Sequence, residues 1–323
     1  MKLRKIDGHV HLIGDGSSAS GCWFKIKTLK DRFLAKIMLR EAGLPESALK
    51  SGMDQFYVET LLRYVQESDL DAVVLLAQDL PYDEKGNQLL ENAQFYVPNQ
   101  YVIDLAKKHT EFIPACSIHP ARLDALDELE RCIDAGVRVL KLLPNYLNID
   151  YANPQFFPFW ERMAAAKMVL LSHTGGEKTV KVYDSNFGDP RKLKSVLECG
   201  VTVIAAHAAG RSGFFDPDWT KDLLVMFEKH PRLFADNSAL GTLNRARTLK
   251  YVLAPAIQKR IVHGSDFPVP IVALGPWMSK KISWSQCRAI QKESNVLQRD
   301  YLLKKAAGFL PETFTRLDEI LRG

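Results

Sequence analysis

Eight short apolar segments at a nearly regular interval limit what this chain can fold into more than any other feature. They span residues 5–9, 72–77, 112–118, 137–143, 168–172, 201–206, 233–235 and 260–263. Most lack the strict alternation of a sheet with one wet face, which suits strands covered on both faces, as in a parallel sheet. From the second segment onward, successive starts fall 25 to 40 residues apart, close to the roughly 30 residues of one βαβ unit. Helix-length stretches fill several gaps: 99–109, 155–167, and 124–136, which has Asp124 as a candidate N-cap and ends on Gly136. The pattern predicts an α/β fold, specifically a (β/α)8 TIM barrel.

The first gap, residues 12–71, is about twice what one crossover requires. Residues 28–41 and 54–67 within it read as helices. The chain is therefore expected to be one barrel domain, 1–323, with a helical insertion at about 14–70 after the first strand. That insertion is either a lid or pocket wall, or a packing or dimer element, so homo-oligomerisation stays open. Residues 282–323 carry amphipathic helices without a chemical motif and are expected to clad the barrel.

Composition removes several classes of function. A formal net charge of +5 over 323 residues, with no clustered basic stripe, gives no nucleic-acid footprint. No apolar run approaches the roughly 18 residues of a membrane span. The five cysteines are dispersed and form no CxxC pair, which fits reduced thiols and a cytoplasmic location.

The histidines carry the chemistry. His9 and His11 sit two apart in IDGHVH, so on a strand they point to the same face. His173 follows the fifth apolar segment, His207 the sixth and Asp266 the eighth. In a barrel these positions lie at the C-terminal face, where active sites form, so five groups remote in sequence can converge. Imidazole and carboxylate suit zinc and other divalent metals. Such an ion lowers the pKa of bound water to about 7, supplying hydroxide at neutral pH.

The motifs IDGHVH, LLSHTGG, AAHAAG and HGSDFP, running from Ile6 to Pro268, resemble the amidohydrolase superfamily, specifically its amidohydrolase-2 branch. The resemblance implies a metal held by His9, His11, His173 and Asp266. It implies that His207 activates water or polarises substrate, and that Asp266 also serves as general base. Lys141, in VLKLLP, is implied to be either a free ammonium that pairs with a substrate carboxylate or a carbamylated bridge between two metals. One divalent ion, zinc, is favoured over two. His119, after the third segment, and Arg211, after AAHAAG, are candidate substrate contacts; for His119, capping a strand end is the alternative.

The expected activity is metal-dependent hydrolysis, with metal-activated water attacking the carbonyl of an amide, lactone or ester. The alternatives are a nonhydrolytic decarboxylase of an aromatic or muconate-type acid and a non-catalytic ligand-binding barrel. The expected partner is a small molecule, a carboxylic acid or lactone.

Overall fold

The computed structural model describes residues 2–49, 52–213 and 215–323; positions 50 and 51, within the predicted insertion, and position 214 lie outside the described residues. Eight strands follow one another around a single sheet: β1 (Ile6–His11), β2 (Ala72–Leu76), β3 (Phe112–Cys116), β4 (Val139–Leu142), β5 (Val169–Ser172), β6 (Thr202–Ala205), β7 (Leu233–Asp236) and β8 (Ile261–Val262). All pair in parallel, with Val73 of β2 opposite Phe112 of β3 and Lys141 of β4 opposite Leu171 of β5. β8 returns to β1, where Gly8 N donates to His263 O at 2.9 Å and His11 N to Phe267 O at 2.8 Å. The result is a nearly closed (β/α)8 barrel in which each of the eight predicted segments overlaps a strand, two of the strands running past the predicted end to His11 and Asp236.

The missing alternation has its expected cause. Inward side chains such as Ile6, Val74, Val139, Leu171 and Val262 form one apolar cluster. Outward neighbours such as Val73, Leu75, Leu140, Leu170 and Val203 join a second cluster with the helices. Full burial of one such Val or Leu contributes about 1.5–3 kcal/mol.

The longer helices are α1 (Leu29–Glu41), α2 (Met53–Gln66), α3 (Asn99–Lys108), α4 (Ala125–Asp134), α5 (Phe157–Ala165), α6 (Thr220–Lys229), α7 (Trp284–Gln291), α8 (Val296–Ala307) and α9 (Pro311–Arg322). α1 begins where a capping box forms: Thr28 Oγ1 accepts from Asp31 N at 3.1 Å, and the Asp31 carboxylate accepts from Thr28 N at 2.9 Å. The two helices between β1 and β2 differ in burial. α2 buries Met53, Tyr57, Leu61 and Val65, four apart and hence on one face. α1 leaves Leu29 and Phe33 exposed and turns Leu34, Met38 and Leu39 toward a cavity over the barrel mouth.

Two local readings change. Asp124 stands at the N-cap of α4 without a capping bond, because its carboxylate accepts from Arg122 at 2.8 and 2.7 Å. The last helix does more than clad: Leu317 joins the inner apolar cluster. Among the described residues no helix is long and apolar enough to cross a membrane.

Candidate active site

β1 delivers both of its histidines to one place. His9 Nε2 and His11 Nε2 lie 3.2 Å apart, and Asp266 Oδ1 stands 3.2 Å from the first and 3.4 Å from the second. β1 reaches this arrangement through a register shift against β2 between Asp7 and Val10, a local irregularity that re-aims side chains. Gly264 makes room for it: a Cβ there would stand 2.8 Å from His9 Cβ.

Asp236, at the end of β7, organises the cluster from behind. Its Oδ2 is 2.8 Å from His9 Nδ1, and its Oδ1 accepts from His207 N at 2.7 Å and Ser238 N at 3.0 Å. Ser238 Oγ also donates to Oδ1. With that single proton committed, the 2.7 Å contact between Ser238 Oγ and His207 Nδ1 has the imidazole as donor. His207 Nε2 is then the nitrogen left to accept.

The backbone supports this placement at a cost. His207, Ala208 and Ala209, directly after β6, have φ of 59°, 48° and 54°, and Asp266 has 72°. Each non-glycine residue held there costs about 1–3 kcal/mol, and such residues persist where surrounding structure over-determines them. Here the bond from His207 N to Asp236 and the 2.9 Å bond from Asp266 N to His9 O do so.

His173, directly after β5, stands beside His207 and outside both of the groups whose ligand atoms lie within 4.8 Å of one another. Its ring centroid is 5.0 Å from that of His207, its Nε2 has no hydrogen-bond partner, and Glu177 Oε2 lies 3.7 Å away. Lys141 of β4 is buried with Nζ 3.0 Å from His9 Nε2. The cavity above, of ~280 Å³, is lined by His11, His173, Glu177, His207, Arg245 and Asp266 at its floor.

The donor set fits a divalent ion. Among the described residues, ligand atoms within 4.8 Å of one another come from His9, His11 and Asp266, and from His9, His207 and Asp236. The second group shares His9 but uses a carboxylate already saturated with hydrogen bonds. The first has two imidazole nitrogens and a carboxylate oxygen converging within 3.4 Å of one another, with an orphaned imidazole nitrogen on His173. Asp236 then stands where a carboxylate orients a metal-binding histidine through its other nitrogen.

Burial keeps His9, His173 and His207 neutral, as metal binding requires. It pulls His9 down to about 4, helped by Lys141, and His173 to about 4. His207 falls well below its usual range through burial and the charge of Arg245. Burial likewise lowers Lys141 to about 8. Burial works to raise Asp266, yet His9, His11 and Arg245 hold it below the ordinary carboxylate range, so it is ionised at neutral pH.

His119 and Arg211 stand outside the cavity lining. His119 Nε2 bonds Leu147 O at 2.8 Å and its ring packs by Tyr82 and Phe156; Arg211 lies 3.7 Å from Asp218. The glycine pair after His173 serves another loop. Gly175 has φ +84°, and a Cβ on it would lie 2.2 Å from Gly210 O, so the loops after β5 and β6 interlock there. Sequence reasoning overlooked Asp236, Ser238 and Arg245. The rule that located Asp266, a polar group ending a barrel strand, applies equally to Asp236 in LFADNS; nothing local marks Arg245.

An amidohydrolase family profile matches residues 6–278, and the chain belongs to that family. Membership makes it an enzyme of hydrolase or decarboxylase type, in a family whose members generally depend on divalent metals. Among solved structures, an uncharacterised TIM-barrel protein from Bordetella bronchiseptica is similar at 14% identity, covering 99% of this chain and 100% of its own, with a TM-score of 0.64. A probable 2-pyrone-4,6-dicarboxylic acid hydrolase from Acinetobacter baumannii matches at 14% identity, 98% and 100% coverage and TM-score 0.55. The IDCase of Metarhizium anisopliae matches at 11% identity, 99% and 97% coverage and TM-score 0.54. These likenesses are of fold. No curated protein sequence matches the chain.

Proposed function

We propose that the cavity hydrolyses a carbonyl substrate, an ester, lactone or amide, with His9, His11, His173 and Asp266 holding one divalent ion, zinc by preference. The observation that carries this reading is the position of Asp266. One of its oxygens lies beside His9 and His11, and the other is 4.0 Å from His207 Nδ1. A single ionised carboxylate thus stands between the ligand cluster and the neighbouring imidazole, where an attacking water must shed a proton.

The ion would supply Lewis acidity and a lowered pKa for water. Asp266 takes the proton of the attacking water and returns it to the leaving group. His207, fixed by Ser238 with its Nε2 unprotonated, accepts a hydrogen bond from the attacking water and orients it. Asp236 keeps His9 in the tautomer that leaves Nε2 free to coordinate. Lys141 stays a free ammonium beside His9 Nε2.

Screening lactones, amides and aromatic carboxylates tests this, with ring opening or amide cleavage measured separately from released CO2. Hydrolysis without CO2 is expected. CO2 release alone would replace hydrolysis by decarboxylation. His207→Ala is expected to lose at least about 100-fold in turnover, as general acid–base groups contribute, while keeping the full metal content; loss of the metal would move His207 into the ligand set.

A further inference from the structure

Arg245 stands out among the charged groups of the cavity. It lies on a short turn (Arg245–Thr248) beyond β7 and is 5% exposed. One guanidinium nitrogen donates to Gly176 O at 2.9 Å, while NH1 has no hydrogen-bond partner. Among the described residues no carboxylate lies within ion-pair distance of it. A buried cation with a spare donor is costly unless something fills the gap, and a guanidinium matches a carboxylate two bonds at a time.

The opposite wall has a different character. α1 contributes Leu34, Met38 and Leu39, and the residues flanking them in space include Phe24, Phe95 and Met53. Lys25, the other basic residue of the lining, is exposed and directs its ammonium to Leu90 O at 2.9 Å. Glu177, beside Arg245 in the lining, turns one oxygen toward His173 and the other to Thr179 N. The cavity therefore offers one buried cation beside Glu177 and Asp266, an apolar face on α1, and polar side chains such as Gln94, Thr242 and Asn244 elsewhere in its lining.

We infer that Arg245 binds the carboxylate of a singly charged substrate whose apolar body lies against α1. This deepens the reading above, which it rests on, by assigning the substrate class. A second carboxylate placed against α1 would face Leu34, Ala35, Met38 and the acidic Asp31 of the lining and is disfavoured.

Calorimetric titration of the protein, both as purified and after chelation, tests this. The ligands are phenylacetate, the neutral phenylacetamide and the doubly charged phenylmalonate. Phenylacetate is expected to bind most tightly in both preparations. Arg245→Met should weaken phenylacetate roughly 10- to 100-fold, the range of a charge-assisted hydrogen-bonded pair, and leave phenylacetamide unchanged; Arg245→Lys should recover part of the loss. Met38→Lys, which leaves Arg245 and its Gly176 contact in place, should shift the preference toward phenylmalonate, and it keeps the test open if Arg245→Met fails to fold. Equal phenylacetate affinity in wild type and Arg245→Met would overturn the assignment. So would phenylmalonate binding as well as phenylacetate in the wild type, no saturable phenylacetate binding there, or an unshifted preference in Met38→Lys. Arg245-dependent binding in a protein that cleaves no carbonyl substrate would instead sink hydrolysis and leave the anion subsite standing.

Discussion

Asp236→Asn will weaken metal binding and turnover by at least about 10-fold while the barrel remains folded. Four contacts end on this carboxylate: His9 Nδ1, His207 N, Ser238 N and Ser238 Oγ. Burial opposes its ionisation, yet the His9 charge and these donors hold it far below the ordinary carboxylate range. An asparagine has the same outline but one acceptor oxygen. It must turn either that oxygen or its NH2 toward His9 Nδ1. With NH2 toward Nδ1, the proton of His9 is driven to Nε2, the nitrogen needed for coordination. With oxygen toward Nδ1, the NH2 faces two backbone N–H groups and a serine hydroxyl. Orienting carboxylates of this kind contribute about 10–100-fold in metal affinity. Loss of the anchor under the left-handed His207 backbone adds to that in turnover. Metal affinity measured by competition with a chromophoric chelator, beside a thermal melt, checks the expectation. Unchanged affinity would mean that Asp236 is a fold contact only.

The second large effect lies behind the ligand loop. Lys304 of α8 is buried and donates to both Asp300 and Gly264 O, two residues before Asp266. Around this pair His263 has neither ring nitrogen bonded, and Asp7, Asp300 and Thr313 each have an unpartnered buried oxygen. Removing one member of a buried ion pair leaves an uncompensated charge and costs about 3–5 kcal/mol, so Lys304→Met will lower stability on that scale.

The loss will depend on pH. Burial already pushes Asp300 up to about 7, with Lys304 as its opposing partner; without Lys304 it rises further. A carboxyl raised in the folded state keeps a proton that the unfolded chain has released. Its contribution to stability is therefore present at low pH and is lost as pH rises, by up to about 1.4 kcal/mol per unit through that window. Lys304→Met should be closest to wild type near pH 5 and furthest from it near pH 8 in urea titrations. A pH-independent difference would contradict the pairing.

Much of this was legible in the residues. The cadence of apolar segments located the strands because a sheet buried on both faces leaves long unbroken hydrophobic runs. The barrel's polarity then turned strand ends into a map of the site, which is why His9, His11, His173, His207 and Asp266 could be assembled from positions alone. What stayed hidden depends on tertiary contact. Arg245 reaches the cavity from a loop whose path no local pattern records. Asp124 looks like a cap until Arg122 takes its carboxylate. Gly175 resembles a ligand-approach glycine, and only the path of the neighbouring loop shows that Gly210 O occupies the space. Leu317 enters the inner cluster from a helix that reads as surface cladding.

The most direct measurement is elemental metal content per chain for the wild type, His11→Ala and Asp266→Ala, each confirmed folded by circular dichroism. The convergence of His9, His11 and Asp266 predicts about one equivalent of a divalent metal in the wild type and a sharp fall in both variants. A wild type that takes up no metal, or variants that keep their full complement, would contradict it.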